Sequence, residues 1–371
     1  MKSIISNSRI VNYRSIGLKQ TILIMQIFGC YPMNNLICFP ELTKKGIIPM
    51  TEKSQEWIKE ISEDKYAFDQ ELYIDQCLLF INFLLRKKQW SGINSADYQR
   101  WLNNFNQIEN GKYIAMRILD ALLYYSEDDK IKMLDDILMQ VFESDVVLPL
   151  QKERNFSCLS SEIEYAVNQA ISKTIVMPSI EDFKDPGASG PEIIRLVRNH
   201  FNPQIHTIFN DKFSESMQYD RIIIIDDCIG SGEQCETFWT GAQIKSDRLL
   251  RDWVQETGIK AFYIALVGYK KSVQKLRTKF PELTILCAEY VDDQHQVFSH
   301  SSKCWNNESE QKMAEKALKT RIEEYGISLF GFSDMSFAVV LHKTIPDWSL
   351  PLLYKNKNNW KHLIERKNTY D

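Results

Sequence analysis

The sequence predicts an α/β protein. A parallel-sheet domain (151–300) follows an all-helical domain (50–150) and precedes a small α+β C-terminal extension (301–371). Three observations predict it. Between Met50 and Leu148 there is no proline, glycine occurs only as Gly92 and Gly111, and apolar residues recur at helical spacing. After Pro149, helical patterns alternate with short β-branched runs, as a parallel sheet with crossover helices requires. Glycine is scarce, 14 in 371 residues, yet seven lie between 187 and 268. Glycine permits unusual backbone angles and close approach to a ligand, so a ligand loop is expected in that window.

The elements follow in order. Leu72, Cys77, Leu78, Ile81, Leu84 and Leu85 form an apolar stripe within Glu71–Lys88. Trp101, Leu102 and Phe105 mark a short helix, and Ile114, Ile118, Leu119, Leu122 and Leu123 another. A third starts at Ser126-Glu127-Asp128-Asp129, whose acids suit the positive end of a helix dipole. Beyond Pro149 the expected order is helix Ser161–Ser172, strand Thr174–Met177, helix Ser189–His200 and strand Arg221–Ile225. A helix within Gln234–Glu256, strand Ala261–Val267, helix Ser272–Phe280 and strand Thr284–Ala288 complete the sheet domain. The tail adds helix Gln311–Tyr325 and strand Ser336–His342, expected to pack over the sheet domain.

Composition excludes several classes. Hydrophobic residues at 44% and charged residues at 25% support a packed core and exclude whole-chain disorder. A net charge of -4 implies no broadly basic nucleic-acid surface. The eight cysteines are scattered with no C-x-x-C pair, which argues for reduced thiols in a cytoplasmic protein and against a zinc site. Residues 1–49 are a poorly specified extension with six basic residues and one acid; Met50 is the alternative start. Their apolar run, Thr21–Tyr31, superficially resembles a signal peptide but is too short to span a bilayer, and no membrane partner is expected.

Chemistry concentrates in Arg221–Gln234, RIIIIDDCIGSGEQ. A doubly buried strand runs into two acids, a glycine-flanked turn and a helix. In an open parallel sheet, ligands bind beyond the carboxyl ends of the strands. Gly230-Ser231-Gly232, with Glu233 and Gln234 opening the helix, can present backbone N–H groups to an anion such as phosphate. Asp226 and Asp227 can accept hydrogen bonds from sugar hydroxyls. The lysine of a triphosphate P-loop is missing.

This strand–acid–acid–loop segment resembles the phosphoribosyl-pyrophosphate signature of type I phosphoribosyltransferases. The resemblance implies that Asp226 and Asp227 contact the ribose and that Ser231 and Gly232 belong to the loop holding the 5′-phosphate. Two positions depart from the pattern. Gly230 stands where Thr, Ala or Asp is frequent, and Gln234 replaces the closing Thr or Ser, removing a phosphate-binding hydroxyl. The D-D-x-x-G-S-G-x-Q form, the preceding helices and the tail blocks Phe330-Gly331-Phe332, Pro346, Leu350-Pro351 and Trp360 are similar to phosphoribosyltransferase-like proteins of prokaryotic conflict systems, some of them retron-associated phage-defence effectors.

That resemblance implies a ribose-5-phosphate ligand, either phosphoribosyl pyrophosphate or a nucleotide. It implies Mg2+ carried on the ligand's pyrophosphate near Asp226 and Asp227, and transfer or cleavage at C1′. The alternative is a non-catalytic nucleotide sensor on the same fold. A defence-system protein or nucleoprotein partner would bind through the helical domain. A second loop is expected after the first strand, with Gly187, Ser189 and Gly190 offering amides and Lys184 a charge for pyrophosphate; Arg195 and Arg198 are further sources of charge. Cys228 reads as a small core residue rather than a nucleophile. Glu289, Asp292 and Asp293 fall at the ligand edge, and His295 and His300 follow as surface residues.

Overall fold

The computed structural model describes residues 70–179, 190–200, 206–207, 219–244 and 248–366. The expectations for residues 1–49 lie outside the described residues, as do Lys184, Gly187 and Ser189.

The helical segment opens with α1 (Gln70–Arg86), which buries Tyr73, Cys77 and Ile81 on one face. Next comes α2 (Ser95–Asn103), started by Asn94, whose side chain accepts the Asp97 N–H. Then α3 (Gly111–Asp120) buries almost every side chain. The expected continuation of α3 through Leu123 does not occur. Instead β1 (Leu123–Tyr125) leaves the helix and pairs in parallel with β7 (Val339–Leu341). A helical apolar pattern cannot distinguish its own last turn from a short strand whose partner lies over 200 residues away. The acidic start foreseen at Ser126 is a complete capping box: Ser126 Oγ accepts the Asp129 N–H, and the Asp129 carboxylate accepts the Ser126 N–H, launching α4 (Glu127–Phe142). A short α5 (Leu148–Glu153) and α6 (Ser160–Ser172) lead into the sheet.

That sheet contains β2 (Thr174–Pro178), β3 (His206–Thr207), β4 (Arg221–Ile229), β5 (Lys260–Tyr269) and β6 (Leu283–Val291), in the order β3-β2-β4-β5-β6. Every pairing is parallel. The crossovers contain α7 (Gly190–His200), α8 (Glu233–Gly241), α9 (Leu250–Thr257) and α10 (Lys270–Lys279). The helix expected within Gln234–Glu256 is thus two helices, α8 and α9. On one face of β4, Ile223 and Ile225 join a core with α4 and α7; on the other, Ile222 and Ile224 join a core with α8, α9 and α10. Burial on both faces explains the continuous isoleucine run.

Beyond β6, α11 (Glu308–Glu323) and the segment through Ile364 share a core with α1, α2 and α3. Trp101 and Trp360 both donate to the Leu352 carbonyl, at 2.8 and 3.0 Å, tying the first helices to the tail. The tail also reaches the sheet: Met335, Phe337, Val339 and Trp348 belong to the core on the α4–α7 side. It therefore packs on the helical segment as well as on the sheet domain.

Candidate functional site: the carboxyl end of β4

In the sheet, β3 lies on one side of β2 and β4 on the other. The chain thus reverses its travel across the sheet between β2 and β4, and a reversal of this kind opens the crevice where α/β proteins bind ligands. Pairing of β2 with β4 ends at Pro178–Ile225, while pairing of β4 with β5 continues to Ile229–Gly268. Asp226 and Asp227 therefore lie on the strand itself, past the end of β2, rather than in the loop expected after Ile225. The sequence hides this extension because two acids read as a strand terminator. The partner strand keeps supplying hydrogen bonds.

The two acids have different surroundings. Asp226 is 2% exposed. Its Oδ2 accepts from the Tyr263 hydroxyl at 2.5 Å and its Oδ1 from the Asp227 N–H at 2.9 Å. Tyr263 also lies 2.8 Å from Ser179 Oγ, and the Gln234 side-chain amide donates to the Ser179 carbonyl at 3.2 Å. Ser179, immediately after β2, is thereby joined to β4, β5 and the start of α8. Burial pushes the Asp226 carboxyl well above the usual range, with the adjacent Asp227 charge adding to the rise and the Tyr263 bond opposing it. Asp227 is half-buried and makes no ion pair among the described residues.

Gly230, Ser231 and Gly232 make the turn. Gly232 caps α8 with φ of +87°, in the left-handed region where a side chain is strained. Ser231 Oγ accepts the Glu233 N–H at 3.3 Å. The N–H groups of Gln234 and Cys235 have no acceptor within the helix, as at any helix start. Gly230 serves packing: a Cβ there would lie 2.2 Å from Trp348 Cδ1. The indole from the tail rests directly on the loop. A cavity of about 170 Å³ is lined by residues 228–235 together with Phe332, Asp347 and Trp348.

Of the second loop, only Gly190 is described, as the first residue of α7; Arg195 and Arg198 are exposed on that helix. Cys228 borders the cavity, and burial, reinforced by Asp227 and Asp226, holds its thiol well above the normal value. It is therefore a protonated wall residue rather than a thiolate nucleophile. The acids after β6 are engaged elsewhere. Asp293 bonds the Tyr269 hydroxyl and pairs with Lys271, and Asp292 pairs with His295 at 2.8 Å and caps a short 3-10 turn. No group of three His, Cys, Asp or Glu suited to a metal ion occurs among the described residues.

Sequence reasoning missed Ser179, Tyr263, Phe332, Asp347 and Trp348. Tyr263 sits inside an apolar strand and reads as core. Trp348 stands among other aromatic residues of the tail and belongs to no local motif.

A parallel sheet, paired acids at its switch point, and a glycine loop opening a helix now stand together. The PRTase-CE family model matches residues 98–366. The chain belongs to the PRTase-CE family. The matched span runs from α2 through the sheet to the end of the described tail, so it includes both the glycine loop and the Trp348 wall. The phosphoribosyltransferase-like domain is thus part of this chain. A search of curated proteins found no match to it.

Proposed function

We propose that this PRTase-CE protein binds a ribose-5-phosphate-containing ligand at the carboxyl end of β4 and acts on its C1′ bond. The single observation that carries this reading is the Asp226–Gln234 segment at the switch point. There two adjacent acids lie near the end of β4, immediately before Cys228, and the helix-opening glycine turn that follows lines a cavity. The loop N–H groups suit a 5′-phosphate. Asp227 takes the ribose hydroxyls, while Asp226, already bonded to Tyr263, holds Asp227 in position through its N–H.

In transfer, the bond from C1′ to the pyrophosphate oxygen breaks and its electron pair leaves with pyrophosphate. A nucleophilic nitrogen or a water then bonds to C1′. This step needs orientation and charge placement more than an enzyme nucleophile, consistent with a protonated Cys228. Magnesium would arrive on the pyrophosphate and neutralise its charge. Within this reading the protein serves antiviral defence, and the helical segment contacts a partner. Phage challenge of cells carrying wild-type or Asp227→Ala protein tests that role.

A second reading, a nucleotide sensor without turnover, is favoured by Gln234. Its amide is spent on Ser179 rather than offering the hydroxyl expected for phosphate. Purified protein is incubated with magnesium and phosphoribosyl pyrophosphate or nucleotides, and release of pyrophosphate or base is followed. Turnover lost on the order of 100-fold in Asp227→Ala supports the enzyme. Binding without turnover, lost in the same variant, supports the sensor. Turnover that survives Asp227→Ala and Asp226→Asn together sinks the site assignment.

A further inference from the structure

The first helix is apolar on two opposite faces. One face of α1 buries Tyr73, Cys77 and Ile81 in the core it shares with the tail. The other carries Leu72, Gln76, Leu79 and Phe83, at the i, i+4, i+7, i+11 spacing that keeps side chains on one side of a helix. There Leu79 is 73% exposed, Leu72 49% and Phe83 48%. Phe83 has a firm backing: its ring stacks on Phe80 with centroids 6.4 Å apart, and Phe80 packs against the core. A single exposed leucine is ordinary, but a helix with apolar residues all round is normally covered all round. α1 precedes the family-matched span 98–366, and none of its residues lines the cavity at β4.

The charges beside the stripe indicate what covers it. Asp75 and Arg86 are both exposed, and neither makes an ion pair among the described residues. They stand eleven residues apart, about three helical turns, and so share one flank of the stripe. Glu71 lies one turn before Asp75 on that flank. Acids therefore border one end of the stripe and arginine the other. A second copy of α1, turned end for end about a two-fold axis at Leu79, meets this surface with leucine on leucine and brings the like flanks together. Asp75 of each copy then lies about one turn from Arg86 of the other, twice by symmetry. A parallel pairing leaves these charges on opposite sides of the seam and aligns the helix dipoles unfavourably.

We propose that the outer face of α1 is the interface of an antiparallel homodimer, with Leu72, Leu79 and Phe83 at its centre and Asp75 paired with Arg86 at its rim. The apolar stripe supplies the affinity, and the charges fix the direction in which the helices run. The inference does not depend on the ribose-phosphate reading above.

Sedimentation velocity of the full chain tests it. Wild type should pass from monomer to dimer between about 1 and 100 μM. Leu79→Glu, which sets two carboxylates face to face on the axis, should weaken the dimer about 100-fold. Asp75→Lys and Arg86→Glu should each weaken it about 10-fold, and the two together in one chain should restore it, because the pair is then reversed rather than broken. Circular dichroism checks that each variant folds; if Leu79→Glu does not, the charge variants decide. A wild-type chain that stays monomeric over the whole range overturns the proposal and leaves the stripe to a different protein or to residues 1–69 of the same chain. A dimer indifferent to Leu79→Glu overturns it as well, and so does a double charge variant as weak as either single one.

Discussion

The two ends of β4 are built on opposite principles. At the amino end, charges are matched. Arg221 and Lys260 both pair with Asp145, which is 9% exposed at its side chain, and Lys173 pairs with Asp220. At the carboxyl end, Asp226 and Asp227 on the strand and Glu233 and Asp347 at the cavity make no ion pair among the described residues. One strand thus has a closed electrostatic end and an open one. The closed end fastens the sheet to the turn after α4. The open end instead sets carboxyls without an ion partner beside the helix-opening amides of Gln234 and Cys235.

The largest effect should come from breaking the closed end. Asp145→Ala strands Arg221, itself 9% exposed, and should cost about 3 kcal/mol, read as a lower denaturation midpoint in urea. Ligand affinity in the folded protein should be unchanged. Gly230→Val attacks the junction of loop and tail. Its side chain must displace the Trp348 ring, at an expected cost of about 2 kcal/mol. Unlike Asp145→Ala, it should also abolish ribose 5-phosphate binding, and calorimetry beside a thermal melt separates the two effects.

The open end should show its character through pH. The folded Asp226 carboxyl is raised, mainly by burial. Its stabilising contribution is therefore complete below the ordinary carboxylate value near 3.9 and is lost as pH climbs toward the folded value. Over that window it contributes a loss of at most about 1.4 kcal/mol per pH unit for one proton. Asp226→Asn should remove that dependence and equal or exceed wild-type stability at neutral pH; urea midpoints at pH 5 and pH 8 provide the check. The smallest effect is expected at Asp227. It is half-buried with no ion partner, so Asp227→Asn should alter stability by only ~0.5 kcal/mol while removing ligand binding. A large loss of stability there would erase the contrast between the two ends.

Much of this contrast could be read along the chain. The run Ile222–Ile225 announced a strand buried on both faces, and the Gly230-Ser231-Gly232 turn announced the helix after it. Ser126 to Asp129 specified a helix start by local hydrogen bonding alone. Less legible were the features that need a distant partner. The strand at Leu123 exists because Val339 lies beside it, and β4 continues through the two acids because β5 does. Tyr263 looked apolar in sequence, yet its hydroxyl bonds Asp226, 37 residues away.

The sequence by itself determined the class of fold, the placement of the acids at a strand end and the glycine turn beyond them. Those features follow from local periodicity and backbone freedom, which act over a few residues. Only the tertiary structure decided that Asp226 is sealed while Asp227 is half-buried, that Gln234 is spent on Ser179, and that the tail lays Trp348 on Gly230. Each depends on which surfaces meet across the sheet and the tail. Burial and hydrogen-bond partners are properties of that meeting, and no residue carries them alone.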